Sequence, residues 1–433
     1  MKVLLIAFFS NSEIRDHLGL CEKSRLTRWA LKLCGLNPKV EEFRDFGAWI
    51  TNIISFFEKQ PDYELHVLSP HIRLKHSYES FELRGIHYHF FRSEYSSMLR
   101  KVGNYRIWKL LQNSGRFTKK VLRKVNPSIV VLSGTENPVA SVSILSAKNY
   151  PRLCLCQVIY NDPERSLYSL PDKLKIAVES DIFGDVDNFG VYCKKHYNLL
   201  MNKASGKNVF KFNWPPKGEL LSPSMVKKEY DFVNFALSHS LAKGTHDSIK
   251  ALALVKKHFP NVSLNIVGGC GEALRKELEV LIDQLQLSEN VFFTPFFEKR
   301  SDLLIHVQKS KFAVLPCKLD NVSGTMAQAM LLQIPLVVYA TPGTIKFNRE
   351  RECAFVVKKN DIDELASQME RLLSNPNEVE LLRENGRWYM ENQTMISLEN
   401  WKRLVHCFDS IIDSFKTGSA IPGDQLFNPE SDD

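Results

Sequence analysis

Asp320 and Gln328, eight residues apart, flank a loop whose composition suits a phosphate. Residues 321–325 hold Asn321, Ser323, Gly324 and Thr325 and lead into a stretch of helix-forming composition. Backbone N–H groups at such a turn, with the positive end of a helix behind them, attract an anion. Asp320 offers a carboxylate before the helix. Gln328 offers an uncharged amide in its first turns, and both face the same mouth.

The elements on either side fix where that mouth lies. Residues 312–315 are an apolar run closed by Pro316, which predicts a buried strand. Residues 334–339 form a second buried, β-branched run that stops at Thr341-Pro342-Gly343. The order strand, loop, helix, strand is one βαβ unit. In open parallel sheets, ligands sit outside the carboxyl ends of the strands.

These residues resemble the donor site of GT-B glycosyltransferases of the retaining GT4 type. That family shows Glu, seven residues, Glu, then Ala-Met, and a short apolar strand beginning with Pro. Asp320 stands at the first Glu and Gln328 at the second, while Ala329-Met330 and Pro335-Leu336-Val337-Val338 match as they stand. The resemblance implies that Asp320 is catalytic and close to the donor sugar. It places Asn321, Ser323, Gly324 and Thr325 near the diphosphate and Gln328 on the ribose hydroxyls. Asp keeps the charge on a shorter arm, and Gln keeps hydrogen-bonding capacity without charge.

A second α/β run precedes this unit. Residues 232–237 read as a strand, 238–244 as a loop, and Ile249, Leu252 and Val255 as one helical face. Residues 264–267 are a strand ending in Gly268-Gly269-Cys270-Gly271. The same family opens its second domain with a strand, Gly-Arg-Leu and then Lys-Gly, and a later strand ends in Val-Gly-x-Gly. Lys243-Gly244 matches, and the usual Arg falls on Ser238. By resemblance Lys243 is the catalytic cation on the diphosphate, with Ser238 and Gly269 also lining the donor. The resemblance covers residues 230–375 well and residues 1–215 loosely.

The first half begins with a buried strand at 3–9 and a long polar insertion at 11–46. Within the insertion, Lys23, Arg25, Arg28 and Lys32 interleave with Leu26, Trp29, Ala30 and Leu33. As a helix this is either a membrane-interface stripe or a surface helix packed on its own domain. Gly47 opens the next helix, with Ile50, Ile53, Ile54 and Phe57 on one face, before a strand at 65–68. The family places a donor-binding glycine-rich turn here, though Gly47 also reads as a plain helix start. Residues 100–124 carry nine cations, Arg100, Lys101, Arg106, Lys109, Arg116, Lys119, Lys120, Arg123 and Lys124, and no acidic residue. The run is an anionic-membrane docking face or a solvated one. After the strand at 129–132, Glu136 and Asn137 occupy a spot that faces the acceptor in the resembled family. The alternative for Glu136 is a helix N-terminal charge. Cys154 and Cys156 share one strand face and read as core. Asp185/Asp187 and Asp361/Asp363 imitate a metal-binding Asp-x-Asp, the second being more simply a helix cap.

At 433 residues, with 44% hydrophobic and 24% charged content, the chain has material for two globular domains. Nine scattered cysteines fit a reducing compartment. No apolar run reaches the ~20 residues of a membrane span, and the first ten residues read as a strand, not a signal peptide. A net charge of +8 calls for an anionic partner; no nucleic-acid-binding module is present, which leaves a membrane surface. The expected fold is α/β with GT-B architecture, two doubly wound Rossmann-like parallel-sheet domains facing a cleft. The expected divisions are 1–215 for the acceptor, 216–397 for the nucleotide sugar, a helix at 398–415 crossing back, and a disordered tail at 416–433. The expected function is transfer of a sugar from a nucleotide-sugar donor to a lipid-linked or saccharide acceptor, with retention, in cell-surface polysaccharide or glycolipid synthesis. No cofactor or metal is required, no nucleic acid is bound, and the location is cytoplasmic, peripheral on the inner face of the membrane. A non-catalytic nucleotide-sugar-binding subunit and a GT-B sugar-nucleotide epimerase are the alternatives.

Overall fold

The computed structural model describes residues 1–21, 47–93, 105–110, 113–168, 170–212, 222–297, 300–319 and 324–430. The Trp29 segment and residues 320–323, with Asp320, Asn321 and Ser323, lie outside them. The chain divides into two compact units. One comprises Met1–Pro163, Pro171–Gly218 and Ile396–Asp433, the other Glu164–Leu170 and Glu219–Met395.

The first unit is built on eight strands: β1 Lys2–Ile6, β2 Glu64–His71, β3 Tyr78–Leu83, β4 Ile86–Arg92, β5 Ile129–Ser133, β6 Arg152–Leu155, β7 Asn188–Val191 and β8 Asn208–Lys211. Their order is β3-β4-β2-β1-β5-β6-β7-β8, parallel throughout except for β3 against β4. Strand β1 shows why the sheet is central. Val3 and Leu5 enter one core with Ile50, Ile53 and Phe57, whereas Leu4 and Ile6 enter another with Phe117, Val121 and Phe183. Both faces are therefore covered, as a run of consecutive apolar residues in a parallel strand requires.

The second unit has six strands: β9 Tyr230–Ser238, β10 Leu264–Gly269, β11 Val291–Thr294, β12 Ser310–Leu315, β13 Leu336–Tyr339 and β14 Phe355–Val357. Their order is β11-β10-β9-β12-β13-β14, and every pair is parallel. Here too apolar cores lie on both faces. The doubly wound Rossmann-like expectation holds for each unit.

Two local expectations change. The hairpin β3–β4 was not anticipated, because its strands are rich in His, Glu and Tyr; it completes an edge by antiparallel pairing. The tail after Lys416, expected to be disordered, is folded onto the first unit up to Glu430. Ile421 and Phe427 are buried, and the Phe427 amide donates to the Val209 carbonyl at 2.7 Å. Two apolar side chains and one strand-edge hydrogen bond outweigh the Pro/Gly/Asp composition around them.

Helix Pro376–Thr417 runs for 42 residues and enters the first unit at Ile396. There Trp401, Leu404, Val405, Phe408, Ile411 and Ile412 are buried, while Phe415, at the end of the expected helix, is exposed. Trp401 packs its ring 5.5 Å from Phe56, 6.4 Å from Phe57 and 6.5 Å from Phe212. Replacing it by Ala should cost about 3–5 kcal/mol of stability. Denaturant unfolding followed by circular dichroism checks this, and a loss below about 1 kcal/mol would mean that the helix is not part of this core.

Candidate active site

In the second unit, the backbones at the carboxyl ends of β9, β10 and β12 approach closely, and glycine makes that possible. Gly244 has φ +70, and a Cβ there would lie 2.1 Å from the Pro316 carbonyl oxygen. Gly268 has φ +126, and its Cβ would lie 1.8 Å from the Ala236 carbonyl oxygen. Gly269 would put a Cβ 2.8 Å from the Leu237 carbonyl oxygen, at a register shift that pairs it with Ser238. Hydrogen bonds lock the arrangement: the His239 amide donates to the Gly269 carbonyl and the Lys318 amide to the Ala242 carbonyl, both at 2.8 Å.

This edge gathers several of the sequence candidates. Lys243 is half-buried in the turn Leu241–Lys243, directly before Gly244 caps helix Thr245–Val255. Ser238 and Gly269 are adjacent there, and Ser238 is exposed. Gly324 and Thr325 begin helix Gly324–Leu331, and Gln328 is half-buried in its second turn. The Gln328 Oε1 is buried and has no hydrogen-bond partner among the described residues. A buried acceptor without a donor is costly, which makes this atom a candidate to meet a ligand hydroxyl.

His239 does not take over the charge of the Arg that Ser238 replaces. Its Nε2 faces the Val267 carbonyl at 3.0 Å and its Nδ1 faces the Thr245 hydroxyl at 2.9 Å. Nε2 is thus the donor and Nδ1 the acceptor, and burial pushes the imidazole pKa down. Sequence reasoning missed Lys318. Its ammonium lies 2.7 Å from the Asp247 carboxylate, which also accepts the Tyr339 hydroxyl at 2.8 Å. A second cation therefore stands two residues before Asp320, its charge held by a buried acid. Only the polar character of the turn hinted at it.

The first unit carries a separate acidic centre. Gly134 has φ +87, and a Cβ there would fall 2.2 Å from the Glu136 Oε2. The Glu136 carboxyl folds back over that glycine, and its Oε2 is buried and unpartnered among the described residues. Burial first, with Glu179 adding to it, pushes its pKa up to about 7 against the pull of its own backbone N–H and Lys175. Glu179 is buried and accepts four hydrogen bonds: from Thr135 Oγ1 at 2.8 Å, the Tyr160 amide at 3.0 Å, and the Asn161 amide and side chain at 2.7 Å each. Glu136 is thus not a cap. Asn137 is, accepting the Val139 amide at 3.2 Å.

Other candidates are structural. The space beside Gly47 is filled by the chain itself, since a Cβ would lie 2.8 Å from both the Phe8 carbonyl oxygen and the Phe9 Cβ. Asp185 pairs with Lys148 and Arg152, Asp187 with Lys207, and Asp361 caps helix Ile362–Ser374. Cys154 and Cys156 are fully buried.

Residues 222–388 match the family described as Glycosyl transferases group 1. An uncharacterized glycosyltransferase of Haemophilus influenzae is 24% identical over 210 residues, 48% of this chain and 58% of that protein. The capsular polysaccharide biosynthesis glycosyltransferase CapM of Staphylococcus aureus is 23% identical over 175 residues, 39% of this chain and 43% of CapM. The matched stretch thus spans about half the length of these curated relatives. Among solved structures, sucrose-phosphate synthase of Thermosynechococcus elongatus superposes with a TM-score of 0.64 at 14% identity, covering 97% of this chain and 100% of that one. OtsA gives 0.66 at 10%, covering 98% and 100%. Anabaena HepE, in complex with UDP and glucose, gives 0.62 at 14%, covering 94% and 99%. The fold is the GT-B fold of these proteins.

A carboxyl group with a raised pKa stabilises the fold below its unfolded value and loses that contribution as pH rises through the folded one. For Glu136 the loss runs from 4.5 to about 7. Thermal midpoints across this range should therefore fall less steeply in Glu136→Gln than in the parent. Equal slopes would show that the carboxyl is not buried as described.

Proposed function

We propose that this chain is a glycosyltransferase whose second unit binds a nucleotide sugar and whose first unit holds the acceptor. The observation that carries the reading is the convergence at one sheet edge of the Lys243 turn and the end of β12, followed by the helix that carries the Gln328 Oε1, unpartnered among the described residues, within the segment that matches Glycosyl transferases group 1. The nucleoside diphosphate leaves, and negative charge grows on it as the bond to the sugar breaks. Lys243 and the amides opening helix Gly324–Leu331 meet that charge, so that no resident metal is needed. The family resemblance assigns Asn321 and Ser323 to the diphosphate and Asp320 to the sugar. Gln328 accepts from a ribose hydroxyl. Glu136 orients the acceptor hydroxyl, and the sugar is transferred with retention to a saccharide or lipid-linked acceptor of a cell-surface polymer. The capsular polysaccharide role printed for CapM supports that acceptor class.

Because a cation aimed at growing charge stabilises the transition state more than the bound donor, Lys243→Ala should lower turnover by about 10²-fold or more. Gln328→Ala should mainly weaken nucleotide binding, since ribose contacts are alike in ground and transition states. Asp320→Asn should cut turnover and leave donor affinity nearly intact. Steady-state sugar transfer with a panel of nucleotide sugars reads all three. Parental turnover in Lys243→Ala would overturn the donor assignment, and nucleotide binding without transfer to any acceptor would favour a silent subunit.

We further propose that the first unit docks on an anionic membrane on the cytoplasmic side. Helix Ser114–Val125 buries Phe117, Val121, Leu122 and Val125 and exposes Arg116, Lys119, Lys120, Arg123 and Lys124, with no acid among them. Among the described residues no helix is long and apolar enough to cross a membrane, so contact would be peripheral. Each such cation contributes about 1 kcal/mol near an anionic surface, and salt screens it. Sedimentation with anionic vesicles should show binding that weakens as salt rises. Equal binding to neutral vesicles would contradict the electrostatic account.

A further inference from the structure

The amino-terminal edge of the first sheet, opposite the edge that carries Glu136, holds a cluster that the transfer reaction does not use. Glu64 and His66 are two residues apart on β2 and so project from one face. His87 is the register partner of His66 on parallel β4, and the two rings stack with centroids 4.6 Å apart. The Glu64 Oε1 lies 2.9 Å from His66 Nε2 and 4.0 Å from His87 Nε2, and one ligand atom from each residue falls within 4.8 Å of the others.

We propose that Glu64, His66 and His87 bind a divalent transition metal of the zinc class, which clips β2 to β4. Two imidazoles and one carboxylate are a donor set that zinc accepts, with bonds of about 2.0–2.2 Å that put ligand atoms roughly 3.3 Å apart in a tetrahedron. The observed 2.9 and 4.0 Å bracket that spacing, so small side-chain rotations suffice. The remaining positions open toward solvent, since the Glu64 side chain is 43% and that of His87 34% exposed.

The groups that would orient the ligands from behind are already in place. His66 Nδ1 lies 3.1 Å from His89 Nε2, and His89 Nδ1 lies 2.8 Å from the Tyr78 hydroxyl. With the metal on His66 Nε2, the Nδ1–H of His66 donates to His89, and the Nδ1–H of His89 donates to the Tyr78 oxygen. Every ring nitrogen in the relay is used, and the ligand tautomer is fixed from behind, as in natural zinc sites. The charged groups facing the cluster are Lys2, 3.6 Å from the Glu64 carboxylate, Glu82, 3.5 Å from His87 Nδ1, and Lys124 near His89. Glu82 faces the far ring nitrogen of His87 as an ion-pair neighbour, looser than the hydrogen bond between His89 and His66. Lys2 is half-exposed and swings into solvent on a flexible stem when a metal takes its carboxylate.

The test is a Co²⁺ titration of the full chain, freed of any histidine tag, followed by visible absorption. One equivalent should give ligand-field bands of a four-coordinate site, and Zn²⁺ should displace them and raise the thermal midpoint. His87→Gln and Glu64→Gln, changed at exposed side chains and shown folded by circular dichroism, should each abolish the bands. His89→Phe, which removes only the relay, should weaken binding about 10–100-fold, and His89→Gln, which restores an acceptor, should recover part of it. No bands in the parent protein, or bands unchanged in both His87→Gln and Glu64→Gln, would overturn the proposal.

Discussion

The close approach of the Gly244 backbone to the Pro316 carbonyl, where a Cβ would lie 2.1 Å from that oxygen, is the constraint on which the second unit's site depends. It sets the Lys243 turn against the end of β12, with Lys318 just beyond that end. The neighbouring contact of Gly268 with the Ala236 carbonyl draws the β10 loop to the same edge. Three consecutive carboxyl ends of a parallel sheet thus present backbone and cation to one place, where an open sheet binds ligands. Any side chain at Gly244 or Gly268 would push these loops apart before it touched a substrate.

Charge at this edge is held in a particular way. Asp247 neutralises Lys318 and is tied by the Tyr339 hydroxyl, so a cation is kept in a partly buried place without an uncompensated charge. Ser238 brings no charge where the resembled family has Arg, and His239 is committed to Val267 and Thr245. In the proposed donor site, the diphosphate charge would therefore fall to Lys243 and to helix amides. The first unit shows the opposite arrangement. Glu136 is half-buried, with its Oε2 enclosed, beside the buried acid Glu179, and its raised pKa follows from that placement rather than from a hydrogen bond.

Much of this was legible in the sequence because parallel strands buried on both faces are continuous apolar runs. Residues 3–9, 129–132, 312–315 and 334–339 announce themselves in that way, and the glycine turns after them mark loops. Strands β3 and β4 were not legible. Tyr78–Leu83 and Ile86–Arg92 mix His, Glu and Tyr with aromatics, and the His66–His89–Tyr78 chain that satisfies them exists only once the strands are side by side. Glu179 was invisible for a similar reason. Its four donors come from Thr135, Tyr160 and Asn161, at least 18 residues away along the chain. The tail misled through composition, since Ile421 and Phe427 anchor a segment that otherwise reads as disordered.

The central claim is that donor binding belongs to one edge of the second unit, and hydrogen–deuterium exchange of the full chain tests it directly. Nucleoside diphosphates of each common base would be added in turn and the protected segments mapped. The account predicts protection in residues 236–244 and 315–332 with the base that binds. Protection confined to the first unit, or no protection in those segments with any base, would contradict it.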